Sequence, residues 1–468
     1  MVLAPTQFRF FTSHPLTSII ISYTNETCFC LRSFSQQVSI SGMYKKLLDR
    51  EWLLSDPDTK IHKVTFSRGF LSPHYHNLLN DVSFTLDTFV RKFMSSMPLD
   101  KKNEFYVVRD DLLHPIVGGN KVRKMDALFP FLEGSGVTDV VTCGGCQSAH
   151  TAALAVACAE RKMVAHLLLR GERPIVPTGY NLISGMYGHV TYVPRAEYAC
   201  RNSLLEKHAM RIAGSDGQIL WLSNGTDEAS IEVNCKSNEM AGSVHQMDGQ
   251  KTTSDSTRHK ESEKPELLQQ YKCRKVAVVK EGAGDAIALL GLIRLVHFLS
   301  QNENFGCDQK VQLVVDSGTG TTAIGLALAV VLMGLPWEVV GIMLADTLQG
   351  YERQKRLLLE HFYRQFLSYD RPQVSNDGHF RLPLQWRLRN NTRKFGKVLD
   401  GDIETCQHVA RETGILLDPI YTLASWEMAM QLCSEMKKGN GNGKVVMLHT
   451  GGTLGLFGLA QRFPSQFF

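Results

Sequence analysis

Five short segments of the 468-residue chain, four of them glycine turns, carry side chains that can bind anions or move protons. The first is Asp316-Ser317-Gly318-Thr319-Gly320-Thr321-Thr322, after the β-branched run Val311–Val315 and before an apolar helical run. Glycines let the backbone turn its N–H groups inward, and a helix N-terminus adds positive potential. The hydroxyls can donate to the same anion, so the segment reads as a phosphate cradle. A tight turn with threonine as N-cap is the plainer alternative. No Gly-Lys-Ser/Thr follows, which disfavours an ATP-binding P-loop. The second is Val117-Gly118-Gly119-Asn120-Lys121-Val122-Arg123-Lys124. A lysine there can serve as a Schiff-base amine once desolvation or neighbouring cations lower its pKa. A solvated basic turn accounts for the same residues. The third, Gly144-Gly145-Cys146-Gln147-Ser148-Ala149-His150, sets an amide, a hydroxyl and an imidazole at a helix start. That suits a substrate carboxylate, although Ser148 can equally be a plain N-cap. The fourth and fifth are Leu417-Asp418-Pro419-Ile420-Tyr421-Thr422 and His449-Thr450-Gly451-Gly452-Thr453, each uninformative alone.

These turns need strands and helices to hold them. Strand-like runs lie at Val137–Thr142, Met163–Leu169, His189–Val193, Lys275–Val279, Val311–Val315, Glu338–Leu344 and Lys444–Leu448. Helix-like runs lie at Ala149–Arg161, Tyr180–Tyr187, Ala286–Leu299 and Thr322–Met333. Alternation of this kind, with glycine at strand ends, predicts an α/β fold with parallel sheets. Ligands of such sheets bind beyond the carboxyl ends of the strands, where the glycine turns fall. The longest apolar stretch, Ala323–Leu335, is shorter than the roughly 20 residues of a membrane span and reads as a buried helix.

Two stretches depart from the pattern. Residues 1–34 hold Arg9 and Arg32, one acid (Glu26) and many hydroxyls, the composition of an organellar transit peptide. Arg32-Ser33-Phe34-Ser35 resembles a mitochondrial processing site, so a mitochondrial address is expected, with plastid or cytoplasm as alternatives. Residues 231–270 contain no Phe, Trp or Tyr and read as a solvated, disordered insert. A net charge of +5 without a dense basic stripe argues against a nucleic-acid partner. Eleven cysteines without a regular framework argue against a disulfide-stapled scaffold. Cys143 and Cys146 form one C-x-x-C pair, half of what a structural zinc site needs, so no metal is expected.

Taken in order, Gly-Gly-Asn-Lys, Gln-Ser-x-His, Ser-Gly-Thr-Gly-Thr, Asp-Pro-x-Tyr-Thr and His-Thr-Gly-Gly resemble the pyridoxal-phosphate enzymes of the aminocyclopropane-carboxylate deaminase and D-cysteine desulfhydrase group. The resemblance runs from about Glu104 to Phe457. It implies a two-lobed tryptophan-synthase-β-like fold (fold type II). The larger, cofactor-binding lobe would comprise residues 43–128 and 275–468, and the smaller one 129–223. It further implies Lys121 as the Schiff-base lysine, with Ser148 and Tyr421 as the other catalytic residues. Asn120, Ser317, Gly318, Thr319, Gly320, Thr321 and Thr450 would hold pyridoxal 5'-phosphate, and Gln147 and Ser148 the substrate. The implied partner is a small amino acid, with no membrane and with a homodimer as the assembly. The implied reaction is β-elimination of D-cysteine to pyruvate, hydrogen sulfide and ammonia. Deamination of aminocyclopropane-carboxylate, and cofactor binding with little catalysis, are the alternatives. The deaminase branch carries Tyr-Glu where this chain has Tyr421-Thr422. The family's Asn after Gln-Ser is here Ala149, which has no donor for the cofactor's phenolic oxygen.

Overall fold

The computed structural model describes residues 44–66, 83–87, 103–222, 273–367, 382–438 and 442–467. The transit peptide expected at 1–34 and the insert expected at 231–270 lie outside the described residues. The β-branched runs assemble into two sheets. One contains β1 (Ile61–Phe66), β2 (Phe84–Asp87), β3 (Asn103–Val108), β9 (Val311–Ser317), β10 (Trp337–Met343), β11 (Leu384–Leu388) and β12 (Lys444–Leu448). Its order is β11-β10-β9-β12-β3-β1-β2. The first five are mutually parallel, and β1 and β2 close one edge antiparallel. The second sheet contains β4 (Asp139–Gly145), β5 (Val164–Arg170), β6 (His189–Val193), β7 (Gln218–Trp221) and β8 (Lys275–Val278). Its order is β6-β5-β4-β8-β7, parallel throughout.

One boundary differs from the expectation. The run at Lys275 was placed in the larger lobe, yet β8 pairs with β4 and β7 in the smaller sheet. The physical reason is the register. Val276 to Val278 are buried between two parallel neighbours, so the chain returns between β4 and β7 of the small sheet before it leaves. The other lobe boundary, near 128, falls inside the helix Asn120–Gly134, which links the two sheets.

Helices Ala288–Leu299 and Thr321–Met333 form the middle of the large core. The Ala323–Leu335 stretch falls in the largely buried helix Thr321–Met333 and ends just past its Gly334 cap, and among the described residues no helix is long and apolar enough to cross a membrane. Helix Asn120–Gly134 lies on Ala288–Leu299 where Gly291 meets Arg123. A Cβ on Gly291 would stand 1.9 Å from the Arg123 carbonyl oxygen. Two ion pairs lock that helix in place. Arg123 reaches Asp110 with both sides of its fork, at 3.1 and 2.9 Å, and Arg294 meets Asp126 at 3.0 Å. Both side chains of the Arg123–Asp110 pair are fully buried.

Removing one partner of a buried pair strands the other charge and costs about 3–5 kcal/mol. Arg123→Ala should lower equilibrium stability in a denaturant titration by that amount. Arg364→Ala, which breaks a half-exposed pair with Glu360, should cost under about 1 kcal/mol. Equal costs for the two variants would mean that Arg123 does not anchor the helix.

Candidate active site

The turns that follow β9 and β12 meet the start of the helix Asn120–Gly134. Gly119 caps that helix at φ +107°, and a Cβ there would lie 2.1 Å from the Thr450 carbonyl oxygen. The Asn120 N–H donates to that same carbonyl at 3.3 Å. The Asn120 side chain faces two ways: its Nδ2 donates to Thr322 Oγ1 at 2.9 Å, and its Oδ1 accepts from Lys121 Nζ at 2.6 Å. Desolvation of the Lys121 amine lowers its pKa, opposed by the carboxylates of Asp316 and Asp418. A lysine in this setting reaches its nucleophilic neutral form more readily than a solvated one.

The loop Ser317–Thr321 lies next to it. Gly320 is left-handed at φ +80° and caps the helix Thr321–Met333, whose first N–H groups therefore face the loop. Thr319 and Thr321 hydroxyls meet at 3.1 Å. Ser317 Oγ is buried with no hydrogen-bond partner among the described residues. Gly282, in the turn after β8, sits against Thr319, and its carbonyl accepts from Lys124 Nζ at 2.9 Å. Lys124 is buried, and desolvation followed by the nearby Lys121 charge pushes its pKa well down. An orphaned hydroxyl, a helix N-terminus and a buried amine form a cradle that fits a phosphate group. Lys121 beside it fits the aldehyde of pyridoxal phosphate.

On the other side, Asp418 anchors the turn that carries Tyr421. Its Oδ1 accepts from the N–H groups of Ile420 and Tyr421, and its Oδ2 from the N–H and hydroxyl of Thr422. The Tyr421 ring lies 3.5 Å from the position a Gly318 Cβ would take and packs edge-on to Phe395. Burial, then the Asp418 charge, raises its phenol pKa, so the hydroxyl keeps its proton. Thr450 Oγ1 donates to Asp316 Oδ1 at 2.7 Å, and Ser425 Oγ does so at 3.4 Å. Asp316 is buried, and burial pushes its pKa up to about 6. A raised acid pKa means that the native chain loses stability as this group ionises, from the ordinary carboxylate range up to about pH 6.

Ser148 caps the helix Ala149–Glu160 by accepting from the Thr151 N–H at 3.3 Å, which leaves its own proton free. Gln147 is otherwise engaged. Its Nε2 donates to the Thr178 carbonyl, and its Oε1 accepts from the Tyr180 N–H. Ala149 packs beside the apolar cluster of Val117, Ala152, Ala153, Val156 and Tyr180. His150 is buried and has a defined tautomer. Thr142 Oγ1 gives its proton to the Val279 carbonyl, so it accepts from His150 Nε2, and Nδ1 is left as an unpartnered acceptor. Burial and the charges of Lys124 and Lys121 keep that imidazole neutral. Cys143 is buried and Cys146 Sγ is taken by the Arg170 carbonyl, and among the described residues no cluster could hold a metal.

Thus Lys121, Asn120, Ser317 to Thr321, Tyr421 and Thr450 converge. Two participants escaped the sequence reading as site residues: Asp316 and Lys124. Lys124 carried a signal, since a helical spacing of three places it on the face of Lys121. Asp316 carried only its position before the glycine loop.

No family model matches the chain. It is 43% identical over 419 residues to the rice (Oryza sativa subsp. japonica) protein named "Putative D-cysteine desulfhydrase 2, mitochondrial", covering 89% of this chain and 93% of that one. It is 22% identical over 370 residues to an Arabidopsis thaliana protein named as a mitochondrial bifunctional D-cysteine desulfhydrase/1-aminocyclopropane-1-carboxylate deaminase, covering 78% and 77% of the two chains. Among solved structures, one described as an ACC deaminase homologue superposes with a TM-score of 0.53 at 19% identity, covering 78% of this chain and 89% of that one. That likeness establishes a shared fold.

The loop glycines are not equivalent. Gly320 has a positive φ, and a Cβ there would fall 2.9 Å from the Tyr351 ring, whereas Gly318 has ordinary room. Strain of about 1–3 kcal/mol should make Gly320→Ala raise the Kd for pyridoxal phosphate roughly 5- to 150-fold. Gly318→Ala should change it by less than about threefold, since a Cβ in ordinary van der Waals contact adds no comparable strain. A fluorescence titration measures both, and unchanged affinity in Gly320→Ala would reduce the loop to a turn.

Proposed function

The chain belongs to the family of D-cysteine desulfhydrases and 1-aminocyclopropane-1-carboxylate deaminases, and from that premise we propose that it is a pyridoxal-phosphate-dependent lyase acting on D-cysteine. One D-cysteine and one water give pyruvate, hydrogen sulfide and ammonia. The observation that carries this reading is Lys121, a desolvated amine held by Asn120 beside the Ser317–Thr321 loop. Bound pyridoxal phosphate supplies the electron sink that acidifies the Cα proton of an amino acid.

The rest falls to the chain's own groups. Lys121 attaches the cofactor. Asn120 orients that amine and ties it to the loop through Thr322. Ser317, Thr319, Thr321, the loop backbone and Lys124 would hold the phosphate. Thr450 would hold the ring nitrogen. Ser148, with a free proton at a helix start, receives the substrate carboxylate or relays a proton near Cα. Gln147 acts by holding the adjoining helices Gly179–Tyr187 and Thr453–Arg462 rather than with a free amide. Tyr421 keeps its proton more tightly than a thiol of pKa roughly 8.5 does. It therefore hydrogen-bonds a departing thiolate instead of protonating it.

The name of the rice relative and the composition of residues 1–34 support a mitochondrial address. Exposed Val176, Leu182, Met186 and Phe457, on and beside the helices Gly179–Tyr187 and Thr453–Arg462, offer an apolar surface for a homodimer.

The purified protein, supplied with pyridoxal phosphate, should release sulfide and pyruvate in equal amounts from D-cysteine. Lys121→Ala should abolish both. Tyr421→Phe should lower kcat about ten- to hundredfold, the worth of one hydrogen bond to a charged atom. Production of 2-oxobutanoate from aminocyclopropane-carboxylate without sulfide from D-cysteine would assign the deaminase activity instead. Binding without turnover of either substrate would leave a cofactor-binding protein.

A further inference from the structure

Two buried carboxylates flank the site, and they differ in what they have left to give. Asp418 accepts four hydrogen bonds, from three backbone N–H groups and the Thr422 hydroxyl. It is fully used in holding the Tyr421 turn. Asp316, one residue before the end of β9, receives hydroxyl protons at its Oδ1, from Thr450 and, more distantly, Ser425, and its remaining hydrogen bond is a weak one from its own backbone N–H. The nearest ionic groups acting on it are Asp418, which disfavours its charge, and Lys121, which favours it. Burying an acid at the mouth of a parallel sheet with hydroxyl partners is costly for folding alone. A positive group completing the site would offset that cost.

Proton counting at Thr450 says where that group belongs. A hydroxyl has one proton and two lone pairs. Thr450 gives its proton to Asp316, so toward any third group it presents only lone pairs. A nitrogen that faces Thr450 must bring its own proton. An unprotonated nitrogen would set lone pair against lone pair.

We propose that Asp316, acting through the Thr450 hydroxyl, is the carboxylate that keeps a proton on the ring nitrogen of bound pyridoxal phosphate. The inference rests on the pyridoxal-phosphate reading above and deepens it. Asp316 is a positioning residue: it fixes the direction of the Thr450 hydroxyl and supplies the negative charge behind it. The consequence is a strong electron sink in a chain with no carboxylate at position 422, where Thr422 is buried and tied to Asp418. The missing carboxylate enters from another strand.

The test is nitrogen NMR of the protein loaded with pyridoxal phosphate carrying 15N in its ring. In the unmodified protein at neutral pH the resonance should stand at the protonated position. Asp316→Asn should move it to the unprotonated position, with the proton affinity of the ring falling about ten- to thousandfold. If Asp316→Asn fails to hold cofactor, Thr450→Val and Thr450→Ser decide the matter. The valine should lose the proton, and the serine, which keeps the hydroxyl, should retain it. An unprotonated resonance in the unmodified protein overturns the inference, as does a protonated one that survives Asp316→Asn or Thr450→Val. Those results leave the cofactor reading standing. Failure of the unmodified protein to retain any pyridoxal phosphate overturns both.

Discussion

Two glycine turns touch back to back, and the site depends on that contact. Gly119 leaves no room for a side chain against the Thr450 carbonyl, and Gly451 leaves none against the Gly118 carbonyl, 2.5 Å from where its Cβ would be. Because both are backbone approaches, neither can relax by swinging a side chain aside. The start of the helix Asn120–Gly134 is thereby pressed onto the end of β12. Lys121 then has no choice but to share a small volume with Asp316, Asp418 and the loop after β9. The buried Arg123–Asp110 pair and the Gly291 contact hold the same helix from behind.

That crowding explains the electrostatics. Lys121 and Lys124 are both desolvated, and the Lys121 charge further disfavours that of Lys124, while Asp316 is buried with hydroxyl partners. A fold selected for stability alone would not bury this set, since each charge out of water must be matched. The mismatch is of the kind that marks functional sites. A dianionic phosphate beside Lys124, and a cationic ring nitrogen beside Thr450, would balance it.

Much of this was readable from residue types. The five turns, their order and their strand–helix contexts carry the cradle, the lysine and the tyrosine, because glycine geometry and helix starts are local. The alternating runs likewise carry β4, β5, β6, β8, β9, β10 and β12, whereas the edge strands β7 and β11 stand in no marked run. What escaped depends on distant pairing. The place of Lys275–Val278 is decided by its neighbours β4 and β7, not by its own apolar residues. Gln147 reads as a free amide until the Thr178 and Tyr180 backbones are brought to it by folding. Asp316 looks like an ordinary strand-end acid because the partner that gives it meaning, Thr450, lies 134 positions away in the chain.

The central claim is that Lys121, and not the neighbouring Lys124, carries the cofactor. Both lie on one helix face, and both have lowered pKa values. Borohydride reduction of the pyridoxal-phosphate-loaded protein fixes the cofactor to whichever amine holds it, and peptide mass spectrometry then locates the added mass. The account predicts the label on Lys121, with Lys124 unmodified. A label on Lys124 would contradict it, because the amine assigned to the phosphate would then be the one that bonds the aldehyde.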